Sequence, residues 1–405
     1  MHFDIHFRSD VVDKIKDVVG EIHTWNTDNS RTEDEIKELT DRVVAFDHCA
    51  RPDHEFMIGG ADGSGDFPCV AYNESVIYLV TSTARLYKTG ANMLNEVEVK
   101  DNDIVDFLWV PEDKEKERIQ FLNTFASLMG TTIENVCSYS DYFELTKRYK
   151  GVSDSSALTE KLIIPGAHDS NNISIQLYSV AEAAVLVKLM RQTKDTKPTD
   201  QPVYIIEDTT LAMPMATSKS TLFLEIAKRY ACEFARKNGF TYMAISKSHN
   251  MPFMDQIEDE ISKINPSGEH WFVRIPSTST GDRNPEFLGT RTIPPIGSVS
   301  YLFKFHNTTQ PMRLDMSLRY WQEHIYSEDK EEQKQREIQI FRDLDFASHD
   351  QRCYGYPYPV KACHDMASMT DDERIAMRKQ IIDEAVKAGL KRKNFVDPSI
   401  LTGHK

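Results

Sequence analysis

Apolar positions change their period along this chain, and each change predicts a different kind of element. Between residues 10 and 48, Val11, Val12, Ile15, Val18, Val19 and Ile22 recur at helical spacing, and a second polar-apolar segment runs from about 31 to 46. These predict an N-terminal helical preface over residues 1–50. From 56 to 88 the texture becomes β-rich, with FMIGGA, PCVAY and VIYLVTSTARLY punctuated by Gly63-Ser64-Gly65 and by Asn73-Glu74. The expectation is an antiparallel meander whose first strand delivers Asp62 into a glycine-rich turn.

Residues 89–175 are polar and acidic, with helices predicted near 114–129 and 140–150 and a Gly/Asn-rich stretch around 166–172; they read as an insertion. LYSVAEAAVLVKLMRQ, 177–192, is an amphipathic helix containing Glu182. The strand VYIIED follows at 203–208, then a helix at about 218–238 closed by Gly239, then the strand TYMAIS at 241–246. Strands alternating with helices in this way define a mixed α/β sheet. WFVRIP, VSYLFKFH and RLDM at 313–316 supply further strands, and SEDKEEQKQREIQIFRDL from 327 a charged helix. After GYPYP, Thr370 with Glu373 forms a capping box for a helix reaching Gly389. Residues 51–405 thus read as one elaborated domain.

The chain has 405 residues, 40% of them hydrophobic and 27% charged, as in soluble globular proteins. No apolar run approaches the roughly 18 residues of a membrane span. The start, MHFDIHFRSDVVDKI, carries neither a basic leader nor a continuous apolar stretch, so a cytoplasmic protein is expected. Six cysteines form no pair at zinc-site spacing and read as reduced thiols. Cys363 adjoins His364, but helical neighbours point about 100° apart, so it reads as core filler. A formal net charge of −15 disfavours a protein that coats nucleic acid through its whole surface. The basic clusters KRYK at 147–150, KRYACEFARK at 228–237 and KAGLKRK at 387–393 read as solvated helix faces. An acidic body with such stripes fits an enzyme brought to its substrate by a partner.

The candidate chemistry lies in carboxylates and one late histidine. Asp208 closes an apolar strand at the carboxyl edge of the sheet, where ligands bind in α/β folds, while Glu207 faces the opposite side by strand alternation. Asp62 sits at a strand end, though an Asp-Gly-Ser run also makes an ordinary turn. Glu182 lies among Ala181, Ala183, Ala184 and Val185, which turns it inward unless it is a tolerated boundary charge. His364 follows GYPYP just before the capped helix, placed either as a core or capping histidine or as a ligand and proton carrier. Hard cations take oxygen ligands, and one or two such ions activate a nucleophile for phosphodiester hydrolysis. Carboxylates arriving from strand, helix and strand therefore suggest a metal-dependent nuclease.

Four stretches resemble the NurA family of nucleases: ADGSG at 61–65; VYIIEDTTL at 203–211; AISKSHN at 244–250 with YLFKFH and MRLDM; and GYPYPVKACH at 355–364. The resemblance implies an RNase H-like core and metal binding by Asp62, Glu182, Asp208 and His364, with Mn2+ or Mg2+ as one or two ions. It implies DNA contacts by Lys247 and by Arg313, the latter also placed for a structural ion pair. It further implies an end-processing exonuclease, also cutting single strands internally, that works as a homodimer with a HerA-type hexameric ATPase in DNA repair or anti-phage defence. One departure stands out: where the family commonly has Gly-Ser-Leu after the strand-end aspartate, this chain has Thr209-Thr210-Leu211. Two rival readings keep the fold: a catalytically inert adaptor of the ATPase, and another RNase H-like enzyme such as an RNA-cleaving nuclease or a strand-transferring recombinase.

Overall fold

The computed structural model describes residues 9–28, 32–73, 75–139, 170–211, 223–247, 254–277, 280, 297–350 and 352–396. Two helices open the chain, α1 at Ser9–Asp28 and α2 at Glu33–Thr40. Ile15, Val18, Val19, Ile22 and Trp25 of α1 are exposed. The second predicted helix stops earlier than its pattern suggests, because Val44–Ala45 instead pairs as the edge strand β1.

The meander differs from the expectation at its centre. Met57–Tyr72 is one long strand, β2, running straight through Gly63-Ser64-Gly65, and Ser75–Thr89 returns beside it as β3. The glycines serve close approach rather than a turn. A Cβ on Gly65 would stand 2.3 Å from the Leu79 carbonyl oxygen and 2.4 Å from the Phe67 ring. Part of the stretch expected as an insertion joins the same sheet. Leu94–Val97 (β4) and Asp103–Val110 (β5) both pair with β3, ahead of helices α3 (Lys114–Met129) and α4 (Ile133–Tyr139). The helix expected near 140–150, the KRYK cluster and most of the Gly/Asn-rich stretch lie outside the described residues.

On the other edge of β2 the sheet becomes parallel. Val203–Glu207 (β6) pairs parallel with β2, and Thr241–Ser246 (β7) pairs parallel with β6. Helix α5 (Ser170–Thr193) precedes β6, and α6 (Phe223–Lys237) joins β6 to β7, ending at Gly239 with φ 69°. The order β5-β3-β2-β6-β7, antiparallel and then parallel, is an RNase H-like arrangement. Beyond β7 come Met312–Ser317 (β10), Ser298–Lys304 (β9), Trp271–Arg274 (β8) and β1, all antiparallel, and Phe395–Val396 (β11) adds to β2.

β6 is buried on both faces, which explains its unbroken apolar run. Val203 and Ile205 enter a core built with α3, α5 and α6. Tyr204 and Ile206 enter a second core beneath α9 (Lys330–Ser348) and α10 (Tyr358–Ala367). Helix α10 was not foreseen. Its start reads as loop because GYPYP is proline-rich, yet Pro357 is its N-cap and Pro359 sits in the first turn, where a missing N–H costs nothing. His364 therefore lies within a helix of its own. The Thr370–Glu373 capping box then opens α11 (Asp371–Lys387), which Arg378 fastens to β2 by paired bonds of 2.6 Å to Asp66. Helix α7 (Met254–Ile264) lies between β7 and β8 in the chain, and α8 (Leu318–His324) directly follows β10. Among the described residues no helix is long and apolar enough to cross a membrane.

Candidate active site

The register of the parallel pair creates the site. Ala61 is the last β2 residue paired with β6, opposite Glu207. Beyond that pair β6 ends while β2 continues, so Asp62 and Asp208 emerge side by side where the sheet opens. Helices close over both faces of the gap. From the α5 side, Glu182 lays its carboxylate against Gly63, where a Cβ would stand 3.5 Å from Oε1. From the other side, α10 presses so close to β2 that a Cβ on Gly60 would stand 2.7 Å from the Val360 nitrogen.

This approach brings His364 Nδ1 to 2.7 Å from Asp62 Oδ2, while the Tyr178 hydroxyl donates to Asp62 Oδ1 at 3.3 Å. Asp62 is 4% exposed and Glu182 2%. Burial, then the charges of Glu207 and Asp62, hold the Glu182 carboxyl well above the ordinary carboxylate range; Lys228 opposes them and Asp208 adds to them. Asp208 is paired with Lys247 Nζ at 3.0 Å, and that ammonium lies 4.1 Å from the Tyr356 ring centre. The Tyr356 hydroxyl is buried beside Asp208, within reach of its carboxylate. Burial first and Asp208 second push that phenol far up.

The structure thus gathers Asp62, Glu182, Asp208, His364 and Lys247 around the end of β6, with Asp62 and Asp208 acting on the Glu182 charge, although their ligand atoms are not all within 4.8 Å of one another. It does not bring Arg313 there as a free cation: the guanidinium is held by Asp315 Oδ1 at 2.8 Å and Ser300 Oγ at 3.1 Å. That pair explains how the turn after Asp208 stands without a glycine. Fully buried Asp315 accepts from the Thr210 hydroxyl and, at 3.0 Å, from the Leu211 N–H. Lys228 Nζ donates to the Thr209 hydroxyl at 3.2 Å and to the Thr210 carbonyl at 2.7 Å. Glu207 faces away from Asp208 as expected, into the core, where Tyr242 donates to Oε2 at 2.8 Å.

Sequence reasoning missed Tyr178, Tyr356 and Lys228. Lys228 and Arg229 belong to a cluster read as a solvated face, yet both are buried. Their flanking apolar residues Ile226, Ala227, Tyr230 and Ala231 were the available signal. Tyr178 lies one helical turn before Glu182 on α5, so the i, i+4 spacing already put the two on one face. Cys363, by contrast, packs as expected: its thiol reaches the Gly60 carbonyl at 3.1 Å, and burial pushes it up to about 12.

Fold and site together define an RNase H-like protein with a buried carboxylate centre. No protein-family model and no curated protein sequence matches this chain. Over nearly its whole length it is similar to solved NurA structures. The NurA nuclease from Sulfolobus solfataricus is 12% identical with a TM-score of 0.41, covering 95% of this chain and 99% of that one. A second NurA crystal structure is 11% identical with a TM-score of 0.36, covering 96% and 99%. A crystal structure of NurA with manganese is 9% identical with a TM-score of 0.35, covering 95% and 99%. Likeness at this level carries no argument about the site, and the chemistry rests on the residues themselves.

Proposed function

We propose that this chain is a metal-dependent nuclease that hydrolyses phosphodiester bonds in DNA, acting at ends. The observation that carries the reading is the convergence of Asp62, Glu182 and Asp208 on the split between β2 and β6, near enough for Asp62 and Asp208 to act on the Glu182 carboxyl. Glu182 is driven toward its neutral form by burial and by the surrounding carboxylates. Buried carboxylates in mutual repulsion call for a cation. Their hard oxygen donors suit Mg2+ or Mn2+.

Asp62, Glu182 and Asp208 would hold the ion, which when bound supplies a nucleophile at neutral pH and neutralises charge on the reacting phosphate. The chain's own groups do the rest. Tyr178 and His364 fix the two oxygens of Asp62 from opposite sides. With Nδ1 taken by Asp62, Nε2 is the His364 atom left to exchange a proton with the departing oxygen, and half the ring is open to solvent, 53% exposed. Lys247, 47% exposed and resting on Tyr356, trades its bond to Asp208 for a DNA phosphate.

The resemblance to NurA supports a HerA-type hexameric ATPase as the partner that feeds DNA, and a homodimeric enzyme. An inert adaptor had one ground, the Thr209-Thr210 departure. The anchoring of that turn by Asp315 and Lys228 favours the catalytic reading.

The test is cleavage of end-labelled linear DNA and RNA by purified protein in manganese, magnesium or EDTA, with and without the cognate ATPase, comparing wild type with Asp62→Ala and Asp208→Ala. Metal-dependent loss of the DNA label, abolished by both substitutions, is the expected result. No cleavage in any condition while the ATPase still binds would overturn it in favour of the adaptor; cleavage of RNA alone would shift the substrate.

A further inference from the structure

A second cluster of metal-ligating side chains lies away from the carboxylates and shares no residue with them. His48 stands between β1 and β2, His270 immediately precedes β8, and Asp345 and His349 end α9 on one helical face. One ligand atom from each of the four lies within 4.8 Å of every other. The imidazole rings crowd together, with centroids 4.5 Å apart for His48 and His349, 5.1 Å for His48 and His270, and 5.4 Å for His270 and His349.

Hydrogen bonding accounts for only part of this arrangement. Asp345 is fully buried, and its Oδ2 accepts the Cys49 N–H at 2.7 Å and meets His48 Nδ1 at 2.9 Å. Its Oδ1 and His270 Nε2 are both buried and both lack a hydrogen-bond partner, although they face each other across 3.6 Å. His349 Nδ1 lies 2.9 Å from the same Oδ1, outside hydrogen-bond geometry, while bonding the Asp345 carbonyl at 3.0 Å. Orphaned buried polar atoms are rare in folded proteins and call for an explanation. More than one protonated imidazole in so small a space would set like charges against each other around a single carboxylate. A cation among the four answers both problems, since it takes lone pairs from neutral rings, the unpartnered His270 Nε2 among them, and from the Asp345 carboxylate together.

We propose that His48, His270, Asp345 and His349 form a second metal centre that takes a divalent transition cation of zinc's class. Three imidazole nitrogens and one carboxylate oxygen suit such an ion better than magnesium. Tetrahedral zinc with bonds of about 2.0–2.1 Å sets its ligand atoms roughly 3.4 Å apart. The 3.6 Å between His270 Nε2 and Asp345 Oδ1 is close to that value, and His349, whose Nδ1–H is taken by the Asp345 carbonyl, would ligate through Nε2. The centre is structural: it staples the approach to β2 and the start of β8 to the end of α9. From that end the chain runs directly into GYPYP and α10, so the staple also steadies the helix that presents His364.

The test uses full-length protein without a polyhistidine tag, stripped with EDTA, incubated with zinc chloride and freed of excess metal by gel filtration. Elemental analysis is expected to find one zinc ion per chain in wild type, the same in Asp62→Asn/Asp208→Asn, and none in His48→Gln/His349→Gln. Cobalt chloride in place of zinc is expected to give the visible absorption of a tetrahedral site in wild type. Zinc is also expected to raise the melting temperature of wild type but not of the histidine variant. Should the double variant not fold, His48→Gln alone serves, because that side chain is 40% exposed. Equal zinc in wild type and histidine variant, zinc lost with the aspartates instead, or a wild type that retains no zinc and shows no tetrahedral cobalt spectrum would each overturn the proposal.

Discussion

His364 Nδ1 stands 2.7 Å from Asp62 Oδ2, so a ten-residue helix late in the chain is tied to the middle of its longest strand. The bond fixes one carboxylate oxygen while the Tyr178 hydroxyl holds the other. It also commits one ring nitrogen and leaves the second for chemistry. His364→Ala is expected to lower the turnover number by about 10²–10⁴-fold, the range for a lost proton carrier, with little change in KM for DNA. Steady-state cleavage of a labelled duplex checks the split between the two constants.

That bond exists only because α10 comes within backbone contact of β2 at Gly60. A methyl group there would stand 2.7 Å from the Val360 nitrogen and 2.8 Å from the Pro359 carbonyl carbon, both backbone atoms that cannot swing away. Gly60→Ala is therefore expected to push the helix outward, costing about 1–3 kcal/mol in stability. Activity should fall further than stability, because His364 moves with the helix. Urea unfolding and DNA cleavage measured on the same preparation would show the two effects together.

Glu182 gives the pH dependence its sign. Burial and then neighbouring carboxylates raise its folded-state value well above the ordinary 4.5, so the folded protein holds a proton that the unfolded chain has released. Folding stability must then fall as pH rises from 4.5 toward the raised value. Glu207, raised by burial, adds a slope of the same sign. Melting temperatures in EDTA are expected to decline from mildly acidic toward neutral pH. Glu182→Gln should make that decline shallower, and manganese should offset it in wild type but not in the variant. A flat wild-type profile in EDTA would contradict the assignment.

Lys247 is the exposed cation of the cluster, bonded to Asp208 and lying over Tyr356. Its expected part is one phosphate contact. Lys247→Ala should weaken DNA binding alike for all sequences and reduce the slope of log affinity against log salt by about 1. Titration of labelled DNA in EDTA across a salt series reads that slope without cleavage.

Much of the fold was written in local pattern. The helical period of α5, the apolar run of β6, the glycine closing α6 and the Thr370–Glu373 box each depend on residues close in sequence, and each element formed where its pattern stood. Asp62, Glu182 and Asp208 sit on elements recognisable by themselves, whereas His364 sits on α10, whose start reads locally as loop. GYPYP misled because proline has two local meanings, loop and first helical turn. Only packing against Gly60 and the sheet selects the second. Gly63-Ser64-Gly65 misled likewise: glycine permits a turn, but here it lets neighbouring strand, ring and carboxylate come close.

By itself, then, the sequence determined most of the strands and helices and which of them carry Asp62, Glu182 and Asp208, because hydrophobic periodicity and capping act over a few residues. Tertiary structure alone decided that Tyr178 and His364 grip one aspartate, that Asp315 holds the turn after Asp208, and that His48, His270 and His349 gather around Asp345. Those contacts join residues as much as 302 positions apart, as between Asp62 and His364. No local period encodes them, since they follow from the register of β2 on β6 and from the faces that the packed helices turn toward it.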